Sequence, residues 1–247
     1  MPTESSTPLQ DEDQPKLGRN LTYGLLNNIG SAIVTGRFER AAFPTEGELA
    51  KQYGVSRSVT REAVKMLTAK GLLSARPRQG TLVQPTTSWN LFDTDVLRWL
   101  LERQFSVELL KHFNQLRVAI EPEAAALAAR FAGKDDFQRI NAGLERMRAA
   151  EQGVDDSLEA CVAFHIAILH GSGNPFYAQF RDLVTTALCT SVRFTKRMKG
   201  RSASIADHAT VRDAIVARDP EGAHTAMRKL IGEMLESIDK EGAGAPS

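Results

Sequence analysis

Apolar residues recur at helical spacing along most of this chain, and only one short stretch departs from that period. Over residues 19–36, Leu21, Leu25, Leu26, Ile29, Ile33 and Val34 fall three or four apart, with Gly36 as a stop. After the loop RFERAAFP, Thr45 and Glu48 have the spacing of a capping box for a helix over 46–53, whose inner face is Leu49, Ala50 and Tyr53. Gly54 suits a tight turn. Ser56 then caps a helix over 57–69, with Val59, Ala63, Val64 and Leu67 inward and Arg57, Ser58, Arg61 and Lys65 outward, ended by Gly71. Two short strands follow near 72–75 and 81–84, joined by Arg76-Pro77-Arg78-Gln79-Gly80. Beyond PTTSWNLF at 85–92, the pattern is helical near 93–103, 106–132, 135–152, 155–171, 175–199, 203–218 and 220–240. The breaks are Gly133, Gly153, the run Gly171–Pro175, Gly200 and Asp219-Pro220.

This order predicts a mainly α protein with an N-terminal winged helix-turn-helix and a C-terminal all-α helical bundle. The expected divisions are a disordered acidic tail over 1–15, the winged unit over 16–85, a linker over 86–92, the bundle over 93–240 and a second tail over 241–247. Composition limits the picture further. No apolar run approaches the roughly 20 residues that span a bilayer, which predicts no membrane segment. The polar, acidic start is neither a secretory nor a transit signal. Two cysteines, Cys161 and Cys189, make no disulfide framework and point to a cytoplasmic location.

The formal net charge of +1 conceals an asymmetry. Residues 14–85 hold 11 Lys and Arg against 4 Asp and Glu, whereas residues 86–247 hold 20 against 22. A basic segment on a near-neutral body is the electrostatic footprint of a nucleic-acid-binding unit joined to something else. The helix from 57 opens Arg-Ser with Ser56 before it, so small hydroxyls and arginines occupy the end that can enter a major groove. The hairpin tip, with two arginines and a glycine, can lie along the backbone or enter a minor groove.

The motifs resemble a known family. Phe43-Pro44-Thr45-Glu46, Glu48-Leu49-Ala50, Val55-Ser56-Arg57, Val59, Arg61-Glu62-Ala63, Leu67, Gly71-Leu72, Gly80 and Val83 are similar to the winged helix-turn-helix of GntR-family regulators. Leu116-Arg117, Glu121-Pro122-Glu123-Ala124-Ala125, Phe164-His165, Gly173-Asn174-Pro175, His208 and Asp219-Pro220 resemble the FCD effector domain of its FadR branch. Trp89-Asn90, Asp93 to Leu97 and Trp99-Leu100 resemble sugar-acid regulators of the galactonate-operon type. The resemblance implies a homodimer on an inverted repeat of double-stranded DNA, released when a small carboxylate binds. It also implies DNA contacts from Ser56, Arg57, Ser58 and Arg61, with Gln79 and Gly80 at the wing. Gly47 departs from the family, which often has Arg between the two acids, so the operator is expected to differ from the commonest family sites.

Many FCD domains hold a divalent metal through an Asp four residues before the His of the Phe-His pair and two later His. Here His165 and His208 are in place, Cys161 stands where the Asp would be, and Leu230 stands where the last His is expected. His224 precedes Leu230 by six residues, a net rotation of about 240° on a helix, and should point elsewhere. Three readings stay open: a metal on Cys161, His165 and His208, for which Zn²⁺ suits the donors; a metal-free pocket where both His bond the effector; or two core histidines satisfied by neighbours. Arg117 on an Ala-rich helix reads as a clamp on an effector carboxylate or as a buried ion pair with Glu121 at i+4. Arg193 is a second effector-binding candidate, and Asn174 either caps a helix or touches ligand.

The expected function is therefore a DNA-binding transcriptional regulator, a repressor of aldonate or uronate catabolism released by its effector. An alternative is a regulator answering a 2-hydroxy or 2-keto acid with a bound divalent metal. A metal-dependent hydrolase built on Cys161, His165 and His208 is the remote alternative, for there is no nucleophile elbow, phosphate loop or evident general base.

Overall fold

A computed structural model describes residues 14–38, 42–76, 80–103, 106–198 and 205–244. Among these lie eleven α-helices and one β-hairpin, in two compact units that divide after Arg103. The acidic segment 1–13 and residues 245–247 lie outside the described residues, as do the hairpin tip at 77–79 and the expected break at Gly200.

The first unit comprises α1 (Gln14–Val34), α2 (Glu46–Tyr53), α3 (Arg57–Ala69), β1 (Leu73–Arg76), β2 (Gly80–Val83) and α4 (Thr94–Glu102). The apolar stripe of α1 is buried through Leu25, Leu26, Ile29, Ile33 and Val34 and meets α3 and α4. The capping box forms: Thr45 Oγ1 accepts from Glu48 N–H at 3.3 Å, and Glu48 accepts from Thr45 N–H at 2.8 Å. Gly54 takes the left-handed conformation (φ 65°) that turns the chain from α2 into α3. On α3, Ala63, Val64 and Leu67 are buried, but Val59 is only half-buried. Thr60 takes the inner place instead, its hydroxyl satisfied by donating to Ser56 O at 3.2 Å. The strands pair antiparallel, Leu73 with Val83 through Arg76 with Gly80.

The sequence puts a linker at 86–92 and starts the bundle at 93, whereas the structure keeps α4 in the first unit. The reason is a set of polar ties that hydropathy does not display. Lys70, at the end of α3, reaches Asp93 and Asp95 at 2.8 Å each, and Asp93 caps α4 through Asp95 and Val96 N–H. Trp89 Nε1 donates to Gln84 O at 2.9 Å, and Asn90 N–H donates to Lys70 O. Trp99 lies directly on Gly30 of α1, where a β-carbon would fall 2.2 Å from the indole ring.

The second unit is all-helical among the described residues: α5 (Val107–Phe131), α6 (Lys134–Glu151), α7 (Ser157–Gly171), α8 (Pro175–Ala178), α9 (Arg181–Met198), α10 (Ile205–Val216) and α11 (Pro220–Gly244). Helix α5 is central, packing against α7, α9, α10 and α11, while α6 packs on α7 and α10. The single helix expected over 175–199 is two, α8 and α9, broken at Gln179–Phe180 with no Gly or Pro to announce it. Asn174 acts as the cap of α8, accepting from Phe176 N–H at 3.0 Å. The α6–α7 contact is close enough that a β-carbon on Gly143 would lie 2.7 Å from Phe164 Cα.

Candidate functional site

The first candidate surface is the start of α3. Ser56 is extended (φ −71°, ψ 156°), and its Oγ accepts from Val59 N–H at 3.3 Å and pairs with Ser58 Oγ at 2.8 Å. Arg57, Ser58, Arg61 and Lys65 are all exposed, while the opposite face of the helix is buried. Arg61 Nε lies 3.4 Å from a Glu46 carboxylate on α2, an exposed pair of the kind that contributes little to stability. Gly47 leaves open space: a β-carbon there would meet only Arg57 Nη2, at 3.9 Å. Gly80 is exposed at the base of the wing with φ 79°, and Gln79 lies outside the described residues. The four recognition-helix candidates thus share one solvent-facing helix start, where backbone N–H groups and the helix dipole favour anions.

The second is a cavity of about 550 Å³ inside the helical unit, a size usual for small-molecule sites. Its lining includes Arg117, Cys161, His165, Ser191, His208 and Leu230. Cys161 and His165 are one helical turn apart on α7, and α10 supplies His208. Ligand atoms of the three lie within 4.8 Å of one another, and Cys161 Sγ is 3.9 Å from His208 Nε2. The His165 and His208 rings meet edge to face at 5.5 Å, and Phe164 packs against both. The expected divergence of His224 holds: it borders a separate depression with Glu123, Arg130 and Glu221.

Behind the trio sits a buried charge network. Arg117 Nε donates to Glu121 Oε1 at 2.5 Å, with Nη2 at 3.5 Å from Oε2, and Nη1 reaches Asn114 Oδ1 at 3.4 Å. Glu121 Oε2 also accepts from His165 Nδ1 at 2.5 Å. Arg117, Glu121 and His165 are 4%, 1% and 2% exposed, so these partners replace most of their solvent. Arg117 therefore forms the ion pair and lines the cavity as well. Burial pushes the Glu121 carboxyl up, but the charges of Arg117 and His165 outweigh it and hold the group at about 2. Burial alone would lower His165, and the Glu121 carboxylate reverses that, raising it to about 9. Burial would also raise the Cys161 thiol, yet hydrogen bonds to His165 and His208 bring it down to about 6.

Glu121 is the residue of this network that sequence reasoning misses in part. Its pairing with Arg117 is visible at i+4, but its bond to His165, 44 residues away, has no local signal. With Nδ1 committed to Glu121, His165 keeps Nε2 as its remaining donor, which is how a carboxylate prepares an imidazole for a metal. The donor set of one thiol and two imidazoles fits a zinc-class ion, while Leu230 offers the cavity no donor. Arg193 lies on α9, its side chain outside the described residues.

Comparison with known proteins agrees with both units. Residues 27–83 match the model for bacterial regulatory proteins of the gntR family, and residues 113–233 match the FCD domain. The uncharacterized HTH-type transcriptional regulator YieP of Escherichia coli (strain K12) is 33% identical over 225 residues, covering 90% of this chain and 95% of its own. The galactonate operon transcriptional repressor of the same organism is 30% identical over 224 residues, covering 89% and 97%. A solved structure of Lar, described as controlling the expression of the Listeria monocytogenes agr system, aligns over 89% of this chain and 97% of its own. Its TM-score is 0.55 at 18% identity, a likeness of fold. These relatives are transcriptional regulators, which sets the hydrolase alternative aside. The chain belongs to the GntR family of bacterial regulatory proteins, as a DNA-binding transcriptional regulator that carries an FCD domain.

Proposed function

We propose that this regulator is a homodimeric repressor of sugar-acid catabolism genes, seated on an inverted repeat and released when a small carboxylate enters the helical unit. The observation that carries this reading is the cavity bordered by Arg117, His165 and His208, in a chain whose basic recognition helix lies in another unit. Aldonates and uronates are the favoured class because a relative 30% identical over 89% of this chain is the repressor of a galactonate operon. In this reading Ser56, Arg57, Ser58 and Arg61 meet the major groove, with Gln79 and Gly80 at the wing. Arg117, His165, His208 and Arg193 serve the effector. The ligand acts by binding the released state more tightly than the operator-bound state, since equal affinity for both shifts nothing.

A second reading, a 2-hydroxy or 2-keto acid sensed beside a divalent metal, is favoured by the grouping of Cys161, His165 and His208. Those three residues would hold the ion, which when bound supplies a positive centre for an anionic ligand. His165 is oriented for that by Glu121, and Leu230 keeps the adjoining wall apolar.

Two measurements test the proposal. Fluorescence anisotropy with an operator isolated by in vitro selection should show Arg57→Ala binding about 10- to 100-fold more weakly, the worth of a good base contact at 1–3 kcal/mol. Wild-type binding by this variant, or equal wild-type affinity for a random duplex at raised salt, would sink the recognition-helix assignment. For the effector, an aldonate or uronate at 100 times its dissociation constant should stabilise the protein by about 2.7 kcal/mol and displace the operator. If sugar acids move neither quantity while another carboxylate moves both, the sugar-acid reading gives way to the second one.

A further inference from the structure

We propose that Lys70 is a positioning residue for DNA reading: it locks the end of the recognition helix α3 to α4, so that operator binding at one is registered at the other. This role goes beyond the base contacts proposed above and rests on that reading only in taking the start of α3 as the end that meets DNA.

Helix α3 has 13 residues. At the usual rise it is roughly 20 Å long, so Lys70 stands about that far from Ser56 at the opposite end. Lys70 Nζ donates to Asp93 Oδ1 and Oδ2 at 2.8 Å each and lies 2.8 Å from Asp95 Oδ2, which engages the whole donor capacity of an ammonium. The side chains of Lys70, Asp93 and Asp95 are 13%, 21% and 23% exposed, so the cluster is sheltered from water on most sides. The main chain adds a further tie, for Lys70 O accepts from Asn90 N–H at 2.9 Å. The neighbouring backbone is equally close. A β-carbon on Gly71 would fall 2.1 Å from Ser88 O, and Gln84 N–H donates to Leu72 O at 2.9 Å.

Lys70 grips α4 by its first turn. Asp93 is the cap of that helix, accepting from Asp95 and Val96 N–H. Asp95 carries the tie onward, accepting from Arg98 Nη2 at 2.8 Å, and the same guanidinium donates to Asn27 Oδ1 of α1 at 2.6 Å. An ion cluster of this kind adds little net stability, since apolar residues of similar volume often do as well. Its contribution is geometry. An ammonium between two carboxylates has one seat, whereas an apolar contact tolerates sliding. Helix α4 is also the element that leads into the second unit, which begins at Gln104. By linkage, if operator binding tightens α4, a displacement of α4 must weaken operator binding by the same factor.

The test is amide hydrogen exchange on the full chain, read by mass spectrometry with and without an operator duplex isolated by in vitro selection. In the wild type the operator should slow exchange over residues 94–102 by at least about 3-fold, the mark of a suppressed local opening. In Lys70→Met, close in length and uncharged, that slowing should vanish. Operator affinity should fall by about 3- to 10-fold, the scale of a change that acts through coupling. The salt dependence of binding should keep its wild-type slope, whereas loss of a direct phosphate contact would reduce the slope by about 1. Asp95→Asn, which leaves the Asp93 cap in place, should lose part of the slowing, and it carries the test if circular dichroism shows that Lys70→Met does not fold. An α4 that ignores the operator in the wild type would overturn the proposal. So would full slowing in Lys70→Met, or in Asp95→Asn if that variant alone folds, and so would a reduced salt slope in Lys70→Met. Arg57→Ala in the same assay separates the two readings. If it binds like the wild type while the Lys70 results hold, only the base-contact assignment fails. If it loses binding while α4 ignores the operator in the wild type, only the role of Lys70 fails.

Discussion

Glu121→Ala should destabilise the helical unit by about 3–5 kcal/mol, the cost of breaking a buried ion pair by removing one partner. Glu121 is the acceptor for both Arg117 and His165, and all three are almost fully buried. Without the carboxylate, the guanidinium keeps, among the described residues, Asn114 Oδ1 at 3.4 Å and a contact with His165 Nδ1 at 3.4 Å. A permanent charge, 4% exposed, is then left at the cavity wall without its main partner. The loss is a large part of a typical folding free energy of 5–15 kcal/mol. Urea denaturation followed by circular dichroism should show a lower midpoint with an unchanged slope. A double variant, Arg117→Met with Glu121→Leu, should recover much of the loss, because replacing both charges by apolar groups removes the desolvation penalty. A single-variant effect below about 1 kcal/mol would mean that the network is hydrated, contrary to its burial.

Gly143→Val should cost about 3 kcal/mol, at the upper end of what overpacking does. Its first added carbon would sit 2.7 Å from Phe164 Cα and 2.9 Å from Phe164 N. Those are backbone atoms, which no rotamer change can move aside. Substituting Gly in a helix otherwise gains helix propensity, so the sign of the effect discriminates between the two terms. Because Phe164 precedes His165 and packs on His208, the same variant should blunt any ligand-induced rise in thermal midpoint. A variant as stable as the wild type would show that α6 and α7 stand further apart than described.

How much of this was legible in the chain depends on the range of the interaction. Helices α2 and α3 follow from local chemistry: the Thr45–Glu48 box, the turn at Gly54 and the Ser56 cap all act within four residues. The grouping of Cys161 with His165 also follows from helical spacing, and His208 joins them only through the resemblance to FCD domains. Four features were not legible. The Glu121–His165 bond and the Lys70 tie to Asp93 and Asp95 are long-range polar contacts, and periodicity reports only apolar burial. The break between α8 and α9 falls at Gln179–Phe180, residues that carry no turn signal. Thr60 counts as polar on any hydropathy scale, yet a hydroxyl that bonds back to the preceding turn is free to occupy a core position.

The glycine at 143 has a bearing on how a signal can travel. Two helices whose backbones approach this closely have one favoured register: sliding α6 along α7 by about one turn would bring a side-chain-bearing position, Ile140 or Met147, against Phe164. The close approach at Gly143 thus ties α6 to the helix that carries Cys161 and His165. Substituting that glycine is therefore expected to change how a ligand in the cavity is sensed without touching any residue that lines it.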